Sequence, residues 1–170
     1  MSVDLSKYKK DFPIFARKVR GGNPLIYLDS GATSQKPESV ISAEANFYRT
    51  INAAVHRGAH LLAEEASEAY ESARANVAKF IGANTDEVVF TKSATESLNM
   101  IAYSLGNPAS TPQISAGDEI VVSEMEHHAN LIPWQQLAKR VGAKLTWFKI
   151  TDEGRLDLSD IDTLINKKTK

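Results

Sequence analysis

Val88-Val-Phe-Thr-Lys-Ser-Ala-Thr-Glu-Ser-Leu-Asn99 is the stretch that decides the expected fold. Its first four residues, Val88–Thr91, are β-branched or aromatic and too few for a helix, so they predict a short buried strand. From Thr95 to Leu105 the apolar residues recur at helical spacing, which predicts a helix that Gly106 ends. The stretch therefore indicates a strand that leads through a turn of small residues into a helix.

The chain beyond this stretch continues the alternation. Strands are predicted at residues 119–123 and 144–150, with a helix at 130–141 between them. Asp157 or Ser159 is expected to cap a final helix. Strands that alternate with helices imply crossover connections, so we expect an α/β fold in which helices pack on a mostly parallel sheet.

The first half of the chain is expected to be mainly helical. Residues 25–28 form an apolar run that predicts one short strand, and Pro37 then suits the first turn of a helix. Apolar and small residues at spacings of three and four predict a long amphipathic helix over residues 62–80. Gly82 is a fitting C-terminal end for that helix.

The length of the chain indicates an incomplete domain. Its 170 residues hold only about three or four predicted strands, and they end directly after a helix. Sheets of this kind usually have about five or six strands. We therefore expect an N-terminal segment at 1–24 and, at 25–170, the N-terminal part of a larger domain. Unpaired sheet edges should make this piece poorly stable by itself.

Composition narrows the classes of function. A hydrophobic share of 42% and a charged share of 24% are ordinary for a globular protein, and the net charge of −1 predicts no affinity for nucleic acid or an anionic membrane. No apolar run has the length of a membrane span, and the N-terminus lacks a signal core, so a cytoplasmic location is expected. The absence of cysteine excludes disulfides, thiolate metal sites and a cysteine nucleophile within these residues.

Ser93, Ala94 and Thr95 form the first candidate site. A hydroxyl at a helix start is most often a plain cap that accepts a hydrogen bond from a backbone N–H. These residues, however, follow the carboxyl end of a predicted strand, where α/β proteins bind ligands. Free N–H groups of a first helical turn attract phosphate, and the small Ala94 would let an anion approach closely.

His127 and His128 form the second candidate site, in the segment 126–130 that reads Glu-His-His-Ala-Asn. Adjacent residues of an extended segment point in opposite directions, so we do not expect the two imidazoles to bind one metal ion, and we predict no metal site. They are either surface or capping histidines, or one of them lies against a planar ring and exchanges protons with substrate. A phosphate site beside an imidazole favours a phosphorylated aromatic cofactor.

Two further loops carry residues that suit a binding site. Residues 54–60 read Ala-Val-His-Arg-Gly-Ala-His, so His56 and Arg57 could receive a substrate carboxylate or could equally cap helix ends. Residues 29–33 read Asp-Ser-Gly-Ala-Thr and are either an ordinary turn or the wall of a pocket.

The chain resembles the N-terminal part of class V, fold-type I pyridoxal-phosphate (PLP) enzymes, and most of all the SUF-type cysteine desulfurases, including their selenocysteine-lyase-like members. The resemblance covers nearly the whole chain in the order and spacing of that family. It rests on six segments, at residues 11–14, 27–37, 54–60, 90–99, 117–118 and 124–134.

The resemblance implies roles for five residues. Ala94 and Thr95 correspond to the phosphate-binding pair, and His127 corresponds to the catalytic histidine that stacks on the cofactor ring. His56 corresponds to a histidine near the substrate carboxylate, and Ala32 to the turn that lines the same pocket. The implied fold is part of the PLP-transferase large domain, and the implied cofactor is pyridoxal 5'-phosphate.

The resemblance also implies a reaction and partners. Sulfur would be removed from L-cysteine, or from its selenium analogue L-selenocysteine, to give alanine and an enzyme persulfide for iron–sulfur cluster assembly. A SUF acceptor protein and a homodimer are expected. The Schiff-base lysine and the nucleophilic cysteine of such enzymes have no counterpart here, since Lys167, Lys168 and Lys170 are in the wrong context. We therefore expect the chain alone to be inactive. The alternatives are a selenocysteine lyase-like, kynureninase-like or epimerase-like enzyme, or a non-catalytic fragment.

Overall fold

The computed structural model describes residues 4–170 and divides the chain into two compact units, with the boundary between Val88 and Val89. In its described part the N-terminal unit is built from helices and turns, whereas the C-terminal unit combines helices with a parallel sheet. Among the helices of residues 4–170, none has both the length and the apolar character needed to cross a membrane.

The N-terminal unit contains two α-helices, α1 (Glu38–Thr50) and α2 (Leu61–Ile81). Both were predicted from helical spacing, and both predictions are confirmed. Gly82 ends α2 in the left-handed conformation with φ of 72°, which glycine adopts without the steric cost of a side chain. Residues 4–88 also form four short 3₁₀ turns, at Ser6–Asp11, Pro13–Ala16, Arg20–Gly22 and Thr85–Glu87.

The C-terminal unit has the α/β organisation that the sequence predicts. Strands β1 (Glu119–Ser123) and β2 (Lys144–Phe148) pair in parallel, with α4 (Ile132–Val141) as the crossover between them. Helix α3 (Ala94–Leu105) precedes β1, and the short helix α5 (Ile161–Leu164) follows β2. The predictions of an α/β fold, of parallel pairing and of helices α3 and α4 are confirmed.

A small apolar core joins the helices and the sheet of this unit. Leu137 on α4 is fully buried, and Ala102 on α3 and Ile120 on β1 belong to the same cluster. Small side chains such as alanine let a helix approach the sheet closely. Each large aliphatic side chain that is fully buried contributes about 1.5–3 kcal/mol to the stability of the fold. This packing fixes the N-terminus of α3 and the turn after β1 within one unit.

Two predicted strands do not form. Residues 25–28 and 88–91 have no assigned strand, and Ile26 and Leu28 are 77% and 93% exposed. Val88 is extended, with φ of −103° and ψ of 120°, but extended backbone becomes a strand only when a neighbouring strand pairs with it. Among residues 4–170 no strand pairs with either segment. The local composition favours extended backbone, but the neighbouring strand that would complete the pairing is not there. The sheet accordingly has two strands where three or four were expected.

The start of the last helix also differs from the prediction. The N-cap of α5 is Asp160, which makes no side-chain capping bond, instead of Asp157 or Ser159. Asp157 uses its carboxylate within its own turn, where Oδ1 accepts a hydrogen bond from the Ser159 N–H at 2.9 Å. Short acidic side chains bond to nearby backbone N–H groups in turns as well as at helix caps. After α5, Thr169 makes an isolated parallel bridge with Glu119.

Candidate active site

The N-terminus of α3 is held by hydrogen bonds on both sides of Ser93. The Ser93 Oγ accepts a hydrogen bond from the Glu96 N–H at 3.3 Å, so the predicted hydroxyl cap is present. The Glu96 carboxylate accepts one from the Lys92 N–H at 2.6 Å. A helix leaves the N–H groups of its first residues, here Ala94 and Thr95, without partners inside the helix and directed beyond its end. These amides and the helix dipole favour an anion at this place.

Thr95 presents a hydroxyl beside those amides. Its backbone carbonyl accepts a hydrogen bond from the Asn99 Nδ2 at 2.9 Å, one helical turn further on. The Thr95 hydroxyl itself has no hydrogen-bond partner among residues 4–170. Thr91 and Ser97, by contrast, bond to each other at 2.7 Å between their hydroxyl oxygens. Among the hydroxyls of residues 91–97, that of Thr95 is thus the one without any hydrogen bond within the described chain.

The turn after β1 holds the imidazole of His127 in a defined orientation. Its Nδ1 accepts a hydrogen bond from the Ala129 N–H at 3.1 Å, so the neutral ring carries its proton on Nε2. The ring centroids of His127 and His128 lie 6.3 Å apart and their planes differ by 54°. The two rings therefore do not stack on each other.

Both carboxylate oxygens of Glu126, which precedes His127, accept hydrogen bonds from neighbouring side chains. Its Oε1 accepts a hydrogen bond from the Ser123 Oγ and its Oε2 accepts one from the Asn130 Nδ2, both at 2.7 Å. The Ser123 hydroxyl first, and then the Asn130 amide, hold the pKa of the Glu126 carboxyl below its ordinary value of 4.5. Glu126 is therefore anionic at neutral pH and joins the end of β1 to the turn before α4.

One cleft brings the phosphate-site candidate and the histidine candidate together. Its volume is about 320 Å³, and its lining residues are Thr95, Asn99, His127, His128, Ala129, Ile132 and Pro133. Ala94 does not line this cleft. Asn99 was missed by the sequence analysis, although its position four residues after Thr95 places it on the same face of a helix. The cleft is thus formed by the first turns of α3 and by the turn that leads into α4.

His56, in the N-terminal unit, lies in a tightly bonded loop. It is the one non-glycine residue of the described chain with positive φ, 61°. Its backbone N–H donates to the Ser67 Oγ at 2.8 Å, its Nε2 lies 3.1 Å from the Glu71 Oε1, and its ring meets Tyr70 edge to face. Left-handed backbone is costly for residues with a Cβ and is often kept where function needs a particular orientation. Glu71 was not singled out by the sequence analysis.

Ala32 lies in a tight turn of the N-terminal unit. Its N–H donates to the Asp29 carbonyl at 3.1 Å. The hydroxyl of Tyr27 donates to the carbonyls of Asp29 and Thr33, at 3.0 and 2.6 Å, and so closes the turn. Ala32 is exposed, and its N–H is engaged within the turn.

The chain matches the model of one protein family, aminotransferase class V, over residues 26–170. It belongs to the class V aminotransferase family. The match includes both candidate segments of the cleft and the loop of His56.

Three similar proteins are named as cysteine desulfurases or probable cysteine desulfurases. A probable cysteine desulfurase of Mycobacterium leprae is 57% identical over 94% of the chain, and one of Streptomyces coelicolor is 54% identical over 99%. A solved structure, the apo form of a cysteine desulfurase from Thermococcus onnurineus, superposes on the whole chain with a TM-score of 0.83 at 41% identity. The chain spans 38%, 40% and 39% of these three proteins, respectively.

Proposed function

We propose that the chain supplies the N-terminal part of the active site of a PLP-dependent cysteine desulfurase. The observation that carries the proposal is the single cleft lined by both Thr95 and His127. The similarity to proteins named cysteine desulfurase supports it, and so does the family match over residues 26–170. Residues 25–170 would form part of the PLP-binding domain, preceded by the segment 1–24.

The start of α3 fits the phosphate of pyridoxal phosphate. Ala94 and Thr95 offer backbone N–H groups, and Thr95 adds a hydroxyl that no residue of the described chain engages. Helix α3 has 12 residues, long enough for an appreciable dipole. A methyl group at position 94 leaves room for an anion at the first helical turn. These two residues would hold the phosphate and so keep the attached ring at one place.

The turn after β1 fits an aromatic ring. The Ala129 amide fixes the His127 ring at Nδ1, so the imidazole can meet a planar ligand without first losing rotational freedom. We propose that His127 stacks on the cofactor ring. We propose also that His127 passes a proton to or from the substrate. Because Nε2 already carries hydrogen in the neutral ring, the ring would take a proton at Nδ1 once the bond from the Ala129 N–H opens, and the imidazolium would then give one from Nε2.

We propose that His56 and Ala32 contribute to the place where the substrate carboxylate binds. The hydrogen bond from the His56 backbone N–H to Ser67 and the 3.1 Å contact of its ring with Glu71 support a fixed imidazole, which is what recognition of a carboxylate requires. Ala32 would contribute the backbone of a turn that Tyr27 closes.

The chemistry requires groups that these residues do not provide. Bound PLP withdraws electrons from the α-carbon of an amino acid, and a thiolate must then take the sulfur. No lysine of the described chain lines the cleft, and the sequence contains no cysteine. We propose that the covalent lysine and the thiolate come from outside these 170 residues, and that the chain alone is inactive. Their absence equally favours a second candidate, a non-catalytic fragment.

The remaining parts of the proposal concern the substrate, the protein partners and the location in the cell. We propose L-cysteine as substrate, with L-selenocysteine as the alternative, a SUF-type sulfur acceptor, a homodimer and a cytoplasmic location. The SUF assignment rests on the sequence resemblance.

The experiment uses the full-length protein that contains this chain. Purified protein is mixed with PLP, its visible absorption is recorded, and alanine is then quantified after addition of L-cysteine or L-selenocysteine. Stoichiometric PLP and alanine formed from L-cysteine are expected. PLP uptake without alanine from either substrate would favour another class V reaction, and absence of PLP uptake would overturn the proposal.

A further inference from the structure

Glu126 and Asn130 form a hydrogen-bonded pair that encloses the His127 turn. The two oxygens of Glu126 reach in two directions, Oε1 to the Ser123 hydroxyl and Oε2 to the Asn130 amide, each at 2.7 Å. Ser123 is the last residue of β1, and Asn130 is the last residue of the 3₁₀ turn His128–Asn130 that leads into α4. One carboxylate thus ties both ends of the turn together.

The amide of Asn130 has a defined orientation because both of its ends are engaged. Its Nδ2 donates to Glu126, and its Oδ1 accepts a hydrogen bond from the Trp134 Nε1 at 2.9 Å. Trp134 packs against the buried core cluster that contains Leu137. The bonds therefore run without interruption from the strand end to a side chain anchored in the core.

His127 lies between these two residues and is held through its backbone as well as its ring. The Asn130 N–H donates to the His127 carbonyl at 2.8 Å, and the Ala129 N–H donates to the His127 Nδ1 at 3.1 Å. Both amides belong to the turn whose ends the Glu126–Asn130 pair joins. If that pair is lost, the two amides are held only by the short backbone bonds of the turn and by its packing beside α3 and α4.

We propose that Glu126 and Asn130 are positioning residues that hold the imidazole of His127 at the cleft it shares with Thr95. This inference rests on the function proposed above, because that function supplies the cofactor ring on which the imidazole would stack. Groups that orient metal-binding histidines typically change metal affinity or activity by about 10- to 100-fold when they are replaced, and we expect an effect of similar size for His127. A purely structural tie between β1 and α4 would change stability and leave the ring orientation unaltered.

The donor and acceptor pattern allows a test by exchange. Glu126→Ala removes both bonds of the carboxylate. Glu126→Gln alone can keep them, because its amide would turn Oε1 to the Asn130 Nδ2 and Nε2 to the Ser123 Oγ, which can accept. Asn130→Asp places two carboxylates together. The double variant Glu126→Gln/Asn130→Asp restores both bonds, because the introduced glutamine would donate to the introduced aspartate. That aspartate would still accept the hydrogen bond from Trp134.

The first measurement needs no cofactor. The full-length protein is labelled with ¹⁵N-histidine, stripped of PLP, and the ring resonances of His127 are followed by NMR after assignment with His127→Asn. The single variants Glu126→Ala and Asn130→Asp are both expected to shift or broaden the Nδ1 signal that reports the bond from Ala129, and the double variant to restore it. Wild-type ring signals in these two single variants would overturn the inference, whether or not the protein binds PLP.

The second measurement follows bound PLP. Glu126→Ala and Asn130→Asp are each expected to weaken the circular dichroism of PLP in its visible absorption band and to release PLP about tenfold faster. The double variant should return both quantities to within about twofold of wild type. A double variant as impaired as the singles would overturn the inference. Failure of wild-type protein to take up PLP would instead refute the proposed function, and the NMR result would still decide the positioning role.

A matched control lies two residues away. Glu124 belongs to the same turn, but its carboxylate accepts a hydrogen bond from the Ile150 N–H at 3.1 Å, outside the Glu126–Asn130 pair. Glu124→Ala removes one carboxylate from the segment, as Glu126→Ala does. It should leave the His127 ring signals and the release of PLP unchanged. Equal effects of the two variants would mean that charge, and not the bonded pair, governs His127, which would contradict the inference.

Discussion

The Nε2 of His56 lies 3.1 Å from the Oε1 of Glu71, so an imidazole proposed to meet a substrate carboxylate already faces a carboxylate of α2. The other oxygen of Glu71 is 3.1 Å from the Nε of Arg74, which holds the glutamate in turn. The His56 and Glu71 side chains are 55% and 42% exposed, so solvent screens the contact. Glu71 therefore orients the imidazole without adding much to stability.

Replacement of Glu71 should weaken substrate binding modestly. An exposed ion pair is worth at most about 1 kcal/mol, so Glu71→Ala is expected to raise KM for L-cysteine by up to about fivefold while kcat changes less. Steady-state alanine formation by the full-length protein measures both. Glu68→Ala removes an exposed carboxylate of the same helix and serves as the control. An unchanged KM in Glu71→Ala, or the same rise in Glu68→Ala, would contradict the orienting role.

Removal of the Thr95 hydroxyl should weaken retention of the cofactor. A hydrogen bond to a charged group contributes about 1.5–3 kcal/mol, so Thr95→Val is expected to raise the dissociation constant for PLP by about 10- to 100-fold. Thr95→Ser keeps the hydroxyl and should stay within about threefold of wild type. Equilibrium titration of the stripped full-length protein with PLP provides the measurement. Equal affinities of the valine and serine variants would remove Thr95 from the phosphate site.

His127 and His128 line the same cleft but should differ in their effect on turnover. His127→Ala is expected to lower kcat at least about 100-fold with PLP still bound, because proton transfer by a positioned side chain contributes about 10²–10⁴-fold. His128→Ala should lower kcat by less than about tenfold. Alanine formation gives kcat, and absorption by bound PLP verifies occupancy. Wild-type turnover in His127→Ala would refute its catalytic assignment.

The contribution of Glu126 to stability should depend on pH. Its pKa in the folded protein lies below the ordinary value of 4.5, so folding favours the carboxylate. The stabilisation is therefore fully present above about pH 4.5 and is lost as pH falls through the folded-state pKa. Glu126→Gln is expected to lower the urea midpoint of the full-length protein at pH 7, with a difference that shrinks towards pH 3.

The Ser123 hydroxyl provides an internal check on this pH dependence. It is the largest cause of the lowered pKa of Glu126. Ser123→Ala should therefore make the urea midpoint less dependent on pH, as Glu126→Gln does. Urea midpoints are compared with wild type at each pH. A midpoint difference for Glu126→Gln that stays constant, or grows as pH falls, would contradict the assignment.

Helices were predicted well because their signal is local. The spacing of apolar residues indicated α2 (Leu61–Ile81), and the left-handed Gly82 confirmed its end. The strand at 119–123 was also predicted, and it forms because β2 is available to pair with it. Residues 25–28 carry an equally strong strand composition and do not form one. Strand pairing depends on two segments, so the composition of one segment cannot predict it.

The sequence predicted which residues line the candidate site better than it predicted the contacts between their side chains. Thr95 and His127 were chosen as neighbours of strand ends, and the structure places both at one cleft. Their roles towards a cofactor remain predictions. The contact of His56 with Glu71 accompanies a left-handed residue 56, which composition does not signal because few non-glycine residues adopt that conformation, although histidine does so more often than most.

The hydrogen bond from Ala129 to His127 has a chemical consequence. A neutral imidazole has one lone pair in its ring plane, and here that lone pair points at a backbone N–H. The other nitrogen carries hydrogen and is a poor nucleophile. Acylating reagents that modify exposed histidines should therefore react slowly with His127 for as long as the turn stays folded.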